Sequence, residues 1–203
     1  MSSDAAESPP IPDEEWARAE IYALLAQLFY APPDARLLGA IAKSGELVEE
    51  EAATPLALAW LELKKACAET DAAAVKEEYD TVFVGTGKAE VTLYLGAYVP
   101  RSGAGPLVVE LKEYLAGHGL ARRDSVNEPE DHVAAVLEVM RHFIAEARLG
   151  VAEQKQYFDT YVWSGATALC AAIEAAEAMR FFRIVARFAR SFLELEHTAF
   201  DIG

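Results

Sequence analysis

The sequence predicts an all-α fold, and three observations favour this fold class. Alanine is frequent while runs of valine, isoleucine and threonine are few, which favours helix over strand. Residues that start and stop helices recur along the chain, and the apolar residues between them repeat at helical spacing. A hydrophobic share of 53% in 203 residues is enough for one sizeable core. We therefore expect a single all-α domain over residues 13–203, a helical bundle with one long functional loop.

The first half of the chain contains the signals of four helices. The start signals are residues that can cap a helix or a proline at its first position, and the end signals are glycines or prolines. Between these signals the leucine, isoleucine and aromatic residues form apolar stripes. In chain order the signals are Asp13 and Pro32-Pro33 for the first helix, Gly45 after the second, Thr54-Pro55 before the third, and Asp71 and Gly85 for the fourth.

The regular helix signals stop between Thr86 and Gly105. These residues include four glycines and one proline, and their middle, residues 91–99, could form a short strand without an obvious partner strand. A connection of this length in a compact domain is usually functional. The loop is also too apolar for an idle linker, since it carries Leu93, Tyr94, Leu95 and Tyr98.

The second half contains further helices, the first opening at Pro106. Asn127 and Glu130 are spaced as a capping pair for the next one. That helix has a broad apolar stripe formed by Val133, Val136, Leu137, Met140, Phe143 and Ile144. Its far side carries Glu138, His142 and Glu146 at metal-ligand spacing, which we interpret as a solvated face rather than a metal site. The remaining helices are expected near residues 156–161, 169–173 and 181–195.

Composition excludes several classes of partner. The net charge of −15 argues against nucleic acid and anionic membrane surfaces, and it would attract a basic ligand. Acidity that only keeps the protein soluble is an equal alternative on charge alone. No uninterrupted apolar run reaches about 18 residues, so no transmembrane helix is predicted.

The N-terminal segment and the cysteines indicate a cytoplasmic protein. Residues 1–12 are acidic, rich in proline and serine, and lack the apolar core of a secretory signal, so we expect a disordered acidic arm. Cys67 and Cys170 are far apart and have no CxxC partners, which indicates neither a zinc site nor a disulfide framework.

No motif specifies a reaction. The GTGK segment at residues 85–88 lacks the remaining residues of a phosphate loop and the strand that precedes one, and no GxSxG nucleophile motif occurs. The stretch VNEPEDHV, residues 126–133, gathers three carboxylates and a histidine where a helix dipole favours negative charge. We expect His132 to be half-buried and structural. A small enzyme using Asp131 and His132 as an acid–base pair is the alternative.

Three segments resemble one protein family. NEPEDHVAAVLEVM resembles the E-P-x-D-H signature of the TorD/DmsD family, the cytoplasmic chaperones for molybdenum-containing oxidoreductases. EEYDTVFVG is similar to the segment before that family's variable loop, and the residues from Tyr161 to Glu196 are similar to its C-terminal helices. The resemblance extends from Trp16 to Glu196. Gly96 stands where a serine is common in the family.

The resemblance implies an all-α chaperone with no enzymatic reaction and no cofactor of its own. Such a protein binds the twin-arginine signal peptide of a client, a molybdopterin oxidoreductase subunit, and holds the apo subunit until its cofactor is inserted before export. Nothing in the sequence supplies a phosphate cradle for a guanine nucleotide. A helical adaptor without a peptide groove is a further alternative. By position in the family, the signal-peptide surface would consist of Tyr79, Val82, Phe83, Tyr94, Tyr98, Glu128, Pro129, Asp131 and His132.

Overall fold

A computed structural model describes residues 11–45, 54–85, 89–99, 106–122 and 128–202. Within these ranges the chain forms α-helices joined by short turns, and no strand is present. The all-α prediction is confirmed. The helices are α1 (Asp13–Tyr30), α2 (Ala35–Lys43), α3 (Pro55–Glu69), α4 (Ala72–Tyr79), α5 (Leu107–Gly117), α6 (Val133–Ala145), α7 (Val151–Tyr157), α8 (Trp163–Ala175) and α9 (Phe181–Ile202). Most of the predicted acidic arm, residues 1–10, lies outside the described residues.

Several helix ends follow local signals in the sequence. The side chains of Thr54 and Asp71 accept hydrogen bonds from backbone N–H groups in the first turns of α3 and α4, as predicted. Gly85 ends the segment after α4 with a φ of 64°, a left-handed conformation that glycine adopts without strain. The predicted cap at Asp13 is wrong, because the helix already includes Asp13 and Pro12 stands at the cap position.

The core is built around two helix pairings. α1 packs along α6, while α9 packs between α3 and α8. Every residue of the predicted apolar stripe of α6 is buried, because α1 covers that face. α4 and α7 each continue into a short π-helical segment, Asp80–Val84 and Phe158–Val162. None of the described helices is both long and apolar enough to cross a membrane.

A partly buried ion pair joins α1 to α9. The guanidinium of Arg18 on α1 donates to both carboxylate oxygens of Glu196 on α9, each at 2.8 Å. The hydroxyl of Tyr22 donates to the same carboxylate at 2.9 Å, and the side chain of Gln154 accepts from Arg18 at 3.1 Å. Glu196 is 3% exposed. Each charge therefore has several partners, as burial of an ion pair requires.

A second long-range contact fixes the start of α9. The carboxylate of Glu78 on α4 accepts from the backbone N–H groups of Phe181 and Phe182, at 3.0 and 2.8 Å. These N–H groups have no acceptor within their own helix, and the dipole favours a negative charge there. Glu78 thus caps a helix more than a hundred residues away and ties it to α4, immediately before the π-helical segment.

The far side of α6 faces solvent. Glu138 and Glu146 are exposed and both bind Arg141, while the Nδ1 atom of His142 lies 2.9 Å from the Glu146 carboxylate. No group of three histidine, cysteine or acidic residues able to hold a metal is found within the described part of the chain. The spacing of this triplet is accounted for by surface ion pairing.

Candidate functional site

The loop after the fourth helix is attached to the start of α6. The N–H of Leu95 donates to the carbonyl of Asp131, and the N–H of Val133 donates to the carbonyl of Leu93, both at 2.9 Å. These two bonds form an isolated antiparallel bridge between Tyr94 and His132. The strand that residues 91–99 could have formed is therefore a single bridge, followed by a 3-10 turn over Leu95–Ala97. The pairing partner of this loop is His132, the residue directly before α6.

His132 is the cap of α6. Its Nδ1 atom accepts from the N–H of Ala134 at 3.2 Å, and the helix begins at Val133. The predicted capping pair is wrong for this helix: Glu130 lies in the turn before it, and Asn127, outside the described residues, also precedes the helix. A histidine can cap a helix start because a neutral imidazole carries one acceptor nitrogen.

Asp131 is buried against the loop. It is 8% exposed, and its Oδ2 atom accepts from the N–H of Gly96 at 3.3 Å. A Cβ atom on Gly96 would lie 2.8 Å from Oδ2. Glycine at this position therefore lets the loop backbone approach the carboxylate closely.

His132 is more deeply buried than the expected half-burial. It is 5% exposed, and its ring contacts Tyr94 and Tyr30, with centroids 5.4 and 6.4 Å away and nearly perpendicular planes. Burial lowers the pKa of His132, while the nearby carboxylates of Glu128 and Asp131 act in the opposite direction. At neutral pH the imidazole is therefore uncharged. Since Nδ1 accepts a hydrogen bond, the proton is on Nε2.

Tyr94 and Glu128 meet at the surface above His132. The hydroxyl of Tyr94 donates to the Glu128 carboxylate, and this hydrogen bond, together with partial burial, raises the pKa of Tyr94 to about 12. Tyr94 is 36% exposed. Tyr98 is half-buried, and its hydroxyl donates to the carbonyl of Thr92 at 2.8 Å, which closes the loop on itself.

Three of the predicted site residues belong to the core. Tyr79, Val82 and Phe83 are buried, so they do not present a surface. The hydroxyl of Tyr79 donates to the carbonyls of Phe29 and Tyr30 at the end of α1, each at 3.1 Å. Tyr79 therefore fixes the end of α1 from within the core.

The carboxylates of the site are partly paired. Glu130 lies 3.6 Å from the Nε atom of Arg122, and a second nitrogen of Arg122 donates to the carbonyl of Glu128 at 3.4 Å. Pro129 is half-buried, and its carbonyl accepts from the N–H of His132 at 3.1 Å. The turn before α6 is thus held in place through its main chain, while the carboxylate of Glu128 faces the loop.

Burial of the Tyr79 hydroxyl raises its pKa to about 12, and nearby ionisable groups contribute. In order of effect they are Glu128, Tyr94, Asp80 and Tyr30. These groups belong to four segments of the chain: the turn before α6, the loop, the π-helical segment after α4, and the end of α1. Glu128 and Tyr94 are predicted site residues, and Asp80 directly follows the predicted Tyr79. Tyr30 is neither a predicted site residue nor adjacent to one. Tyr30 stands two residues before Pro32-Pro33, and this position indicates only the end of a helix.

The arrangement fits binding better than acid–base chemistry. Within the described residues, the carboxylate of Asp131 is bound to Gly96 and the ring of His132 to Ala134, so the two side chains do not form a hydrogen-bonded pair. Two surface depressions lie elsewhere, one beside α2 and Cys67 and the other between α4 and Phe181. The site at the start of α6 is an open aromatic and acidic surface.

The family assignment rests on a match that includes this surface. The model of the family described as "Nitrate reductase delta subunit" matches residues 49–170, more than half of the chain. That range runs from α3 through the loop and the start of α6 into α8. No curated protein matches the chain. The chain belongs to the nitrate reductase delta subunit family, which comprises the NarJ- and TorD-like chaperones of molybdoenzyme maturation.

Proposed function

We propose that this chaperone binds the twin-arginine signal peptide of a molybdopterin oxidoreductase subunit in the cytoplasm. It holds the apo subunit while the cofactor is inserted, and it releases the subunit for export afterwards. The observation that carries this proposal is the joining of the loop to α6, which places the exposed ring of Tyr94 against the Glu128 carboxylate. A twin-arginine signal has a cationic pair followed by an apolar stretch, and this surface offers a complement to both.

The apolar stretch supplies most of the binding energy. An exposed guanidinium–carboxylate contact contributes only about 0.2–1 kcal/mol. Micromolar affinity requires about 8 kcal/mol net, so burial of apolar surface, at roughly 25 cal/mol per Å² before ordering costs, has to provide the larger share. The carboxylates then set the orientation of the peptide and its selectivity.

The predicted site residues divide into three roles. Tyr94, Glu128 and Pro129 are exposed or half-buried, and we assign them to direct contact with the peptide. Asp131 holds the loop in place by accepting from the N–H groups of Gly96 and Leu95, and His132 does so through its bridge to Tyr94. The remaining residues support the surface from behind: Tyr79, Val82 and Phe83 in the core, and Tyr98 within the loop.

Isothermal titration with a synthetic twin-arginine signal peptide tests the proposal. We expect Tyr94→Ala to weaken binding by about tenfold, because anchor aromatic residues dominate such interfaces. Val109→Ala is the matched control, since Val109 is an exposed apolar residue on α5. The proposal fails if the wild-type protein does not bind the peptide, or if the folded Tyr94→Ala variant binds as the wild type does.

A further inference from the structure

The C-terminal end of α1 forms one side of this surface and has no cation of its own. Tyr30 is the last residue of the helix and is 55% exposed, and the final turn of α1 contains no basic residue. The last carbonyl groups of a helix accept no hydrogen bond from their own helix, and they give this end a partial negative charge. Here the carbonyls of Phe29 and Tyr30 accept from the hydroxyl of Tyr79, a neutral donor. A positive charge close to Tyr30 would therefore be favoured.

Two aromatic rings from different segments contact the same histidine. Tyr30 comes from α1 and Tyr94 from the loop, and each ring lies nearly perpendicular to the His132 imidazole. The Glu128 carboxylate accepts from the Tyr94 hydroxyl, and a carboxylate has further acceptor positions for a guanidinium. Exposed aromatic faces beside a carboxylate are the environment in which a cation is bound by its charge and its flat surface together.

His132 gives both tyrosine rings a fixed support. Its Nδ1 atom caps α6, and the residue is only 5% exposed. The two exposed rings therefore rest on a buried imidazole whose orientation is set by the helix cap.

We propose that Tyr30, Tyr94 and the Glu128 carboxylate form an arginine-binding notch, in which Tyr30 determines selectivity for arginine over lysine. An arginine residue of an extended peptide supplies the positive charge that the notch lacks. Its guanidinium lies against the Tyr30 ring and reaches the Glu128 carboxylate. This inference rests on the proposed function, and it identifies an arginine as the residue of the signal peptide that the surface recognises.

Arginine and lysine differ in how strongly they stack on an aromatic ring. A guanidinium is planar and weakly hydrated, so it stacks on an aromatic face, whereas an ammonium group is compact and strongly hydrated. Both side chains carry one positive charge, so the long-range attraction by the carboxylates and the end of α1 is the same for each. Loss of the Tyr30 ring should therefore reduce binding of arginine and leave binding of lysine almost unchanged.

The experiment compares two synthetic signal peptides that differ only in the pair, Arg-Arg or Lys-Lys, by isothermal titration against the full chain. We expect the wild type to prefer the Arg-Arg peptide by about threefold to tenfold. Tyr30→Ala and Tyr30→Leu should lose this preference, with Lys-Lys affinity unchanged within about twofold. Tyr30→Phe keeps the ring and should keep the preference. Trp16→Ala is the matched control, because Trp16 lies on the same helix and is 51% exposed.

The possible outcomes separate this inference from the proposed function. If the wild type binds both peptides equally well, the notch is rejected and signal-peptide binding stands. The notch is also rejected if the Tyr30 variants weaken both peptides to the same extent, or if neither variant changes the preference. If the wild type binds neither peptide, the proposed function fails and the notch fails with it. The exposed position of Tyr30 means that the variants should melt as the wild type does.

Discussion

Tyr94 and His132 form an antiparallel bridge that attaches the loop after α4 to the cap of α6. His132 therefore has two structural roles: its main chain lies in the bridge, and its side chain caps the helix. Damage to either contact should disturb both the loop and the helix start. The surface that we assign to the signal peptide depends on this coupling, because Tyr94 is positioned by the bridge.

Gly96→Ala should destabilise the protein by about 1–3 kcal/mol. The added Cβ atom would lie 2.8 Å from the Asp131 carboxylate, so the loop has to move away from α6. Urea denaturation measures the loss. Gly39→Ala is the control, since Gly39 lies inside α2 with nothing within 4 Å of an added Cβ, and it should stabilise by about 0.5–1 kcal/mol. Equal stability of the two variants would contradict the close approach of Gly96 to Asp131.

The stability of the protein should fall as the pH drops below about 6.5. Burial lowers the pKa of His132 below its ordinary value of 6.5 in the folded state. The unfolded chain therefore binds a proton at a higher pH than the folded one does, and stability decreases from pH 6.5 down to the folded-state pKa. The carboxylates that face the ring, Glu128 and Asp131, reduce this effect without reversing it.

His132→Asn separates the titration of the histidine from its capping role. Asparagine is a good helix cap and does not titrate, so the variant should lose less stability than the wild type between pH 7 and about pH 5. Thermal melting across this pH range measures the difference. His118→Asn, at an exposed histidine, is the control. A wild type and His132→Asn variant with parallel pH profiles would show that His132 is not the titrating group.

Glu196→Ala should cost about 1–3 kcal/mol, because it leaves the buried Tyr22 hydroxyl without its acceptor and reduces the partners of Arg18 to Glu15 and Gln154. Replacing both ends together, as Arg18→Met with Glu196→Leu, should cost less than the sum of the two single replacements, since the partly buried charge is then removed together with its partner. Chemical denaturation of these variants measures the costs. The exposed pair Glu62–Arg187 provides the control, and Glu62→Ala should cost no more than about 1 kcal/mol. Equal losses for Glu196→Ala and Glu62→Ala would refute this account of the network.

Association with the signal peptide should slow as salt concentration rises, more than dissociation accelerates. The net charge of −15 attracts a basic ligand over long range, and salt screens that attraction. Stopped-flow measurements across ionic strengths test this expectation. Glu128→Gln should make the association rate less dependent on salt, whereas Glu138→Gln, on the far side of α6, should have a smaller effect. Association rates that do not respond to salt would assign the acidity to solubility alone.

The sequence by itself determined where most helices lie. Thr54, Asp71 and Gly85 act on backbone groups within a few residues of themselves, and the stripe of α6 repeats at helical spacing. Such signals are local, so they need no knowledge of the rest of the fold. The family resemblance, which rests on the same local segments, is confirmed by the match over residues 49–170.

Tertiary structure alone decided which residues meet at the candidate site. It placed His132 at the helix cap, buried Tyr79 and Phe83 in the core, and brought Tyr30 from the end of α1 to the start of α6. It also joined Arg18 to Glu196 across 178 positions of the chain. The spacing of residues along the chain says nothing about such contacts, because they arise only when helices pack and each buried polar group must find a partner.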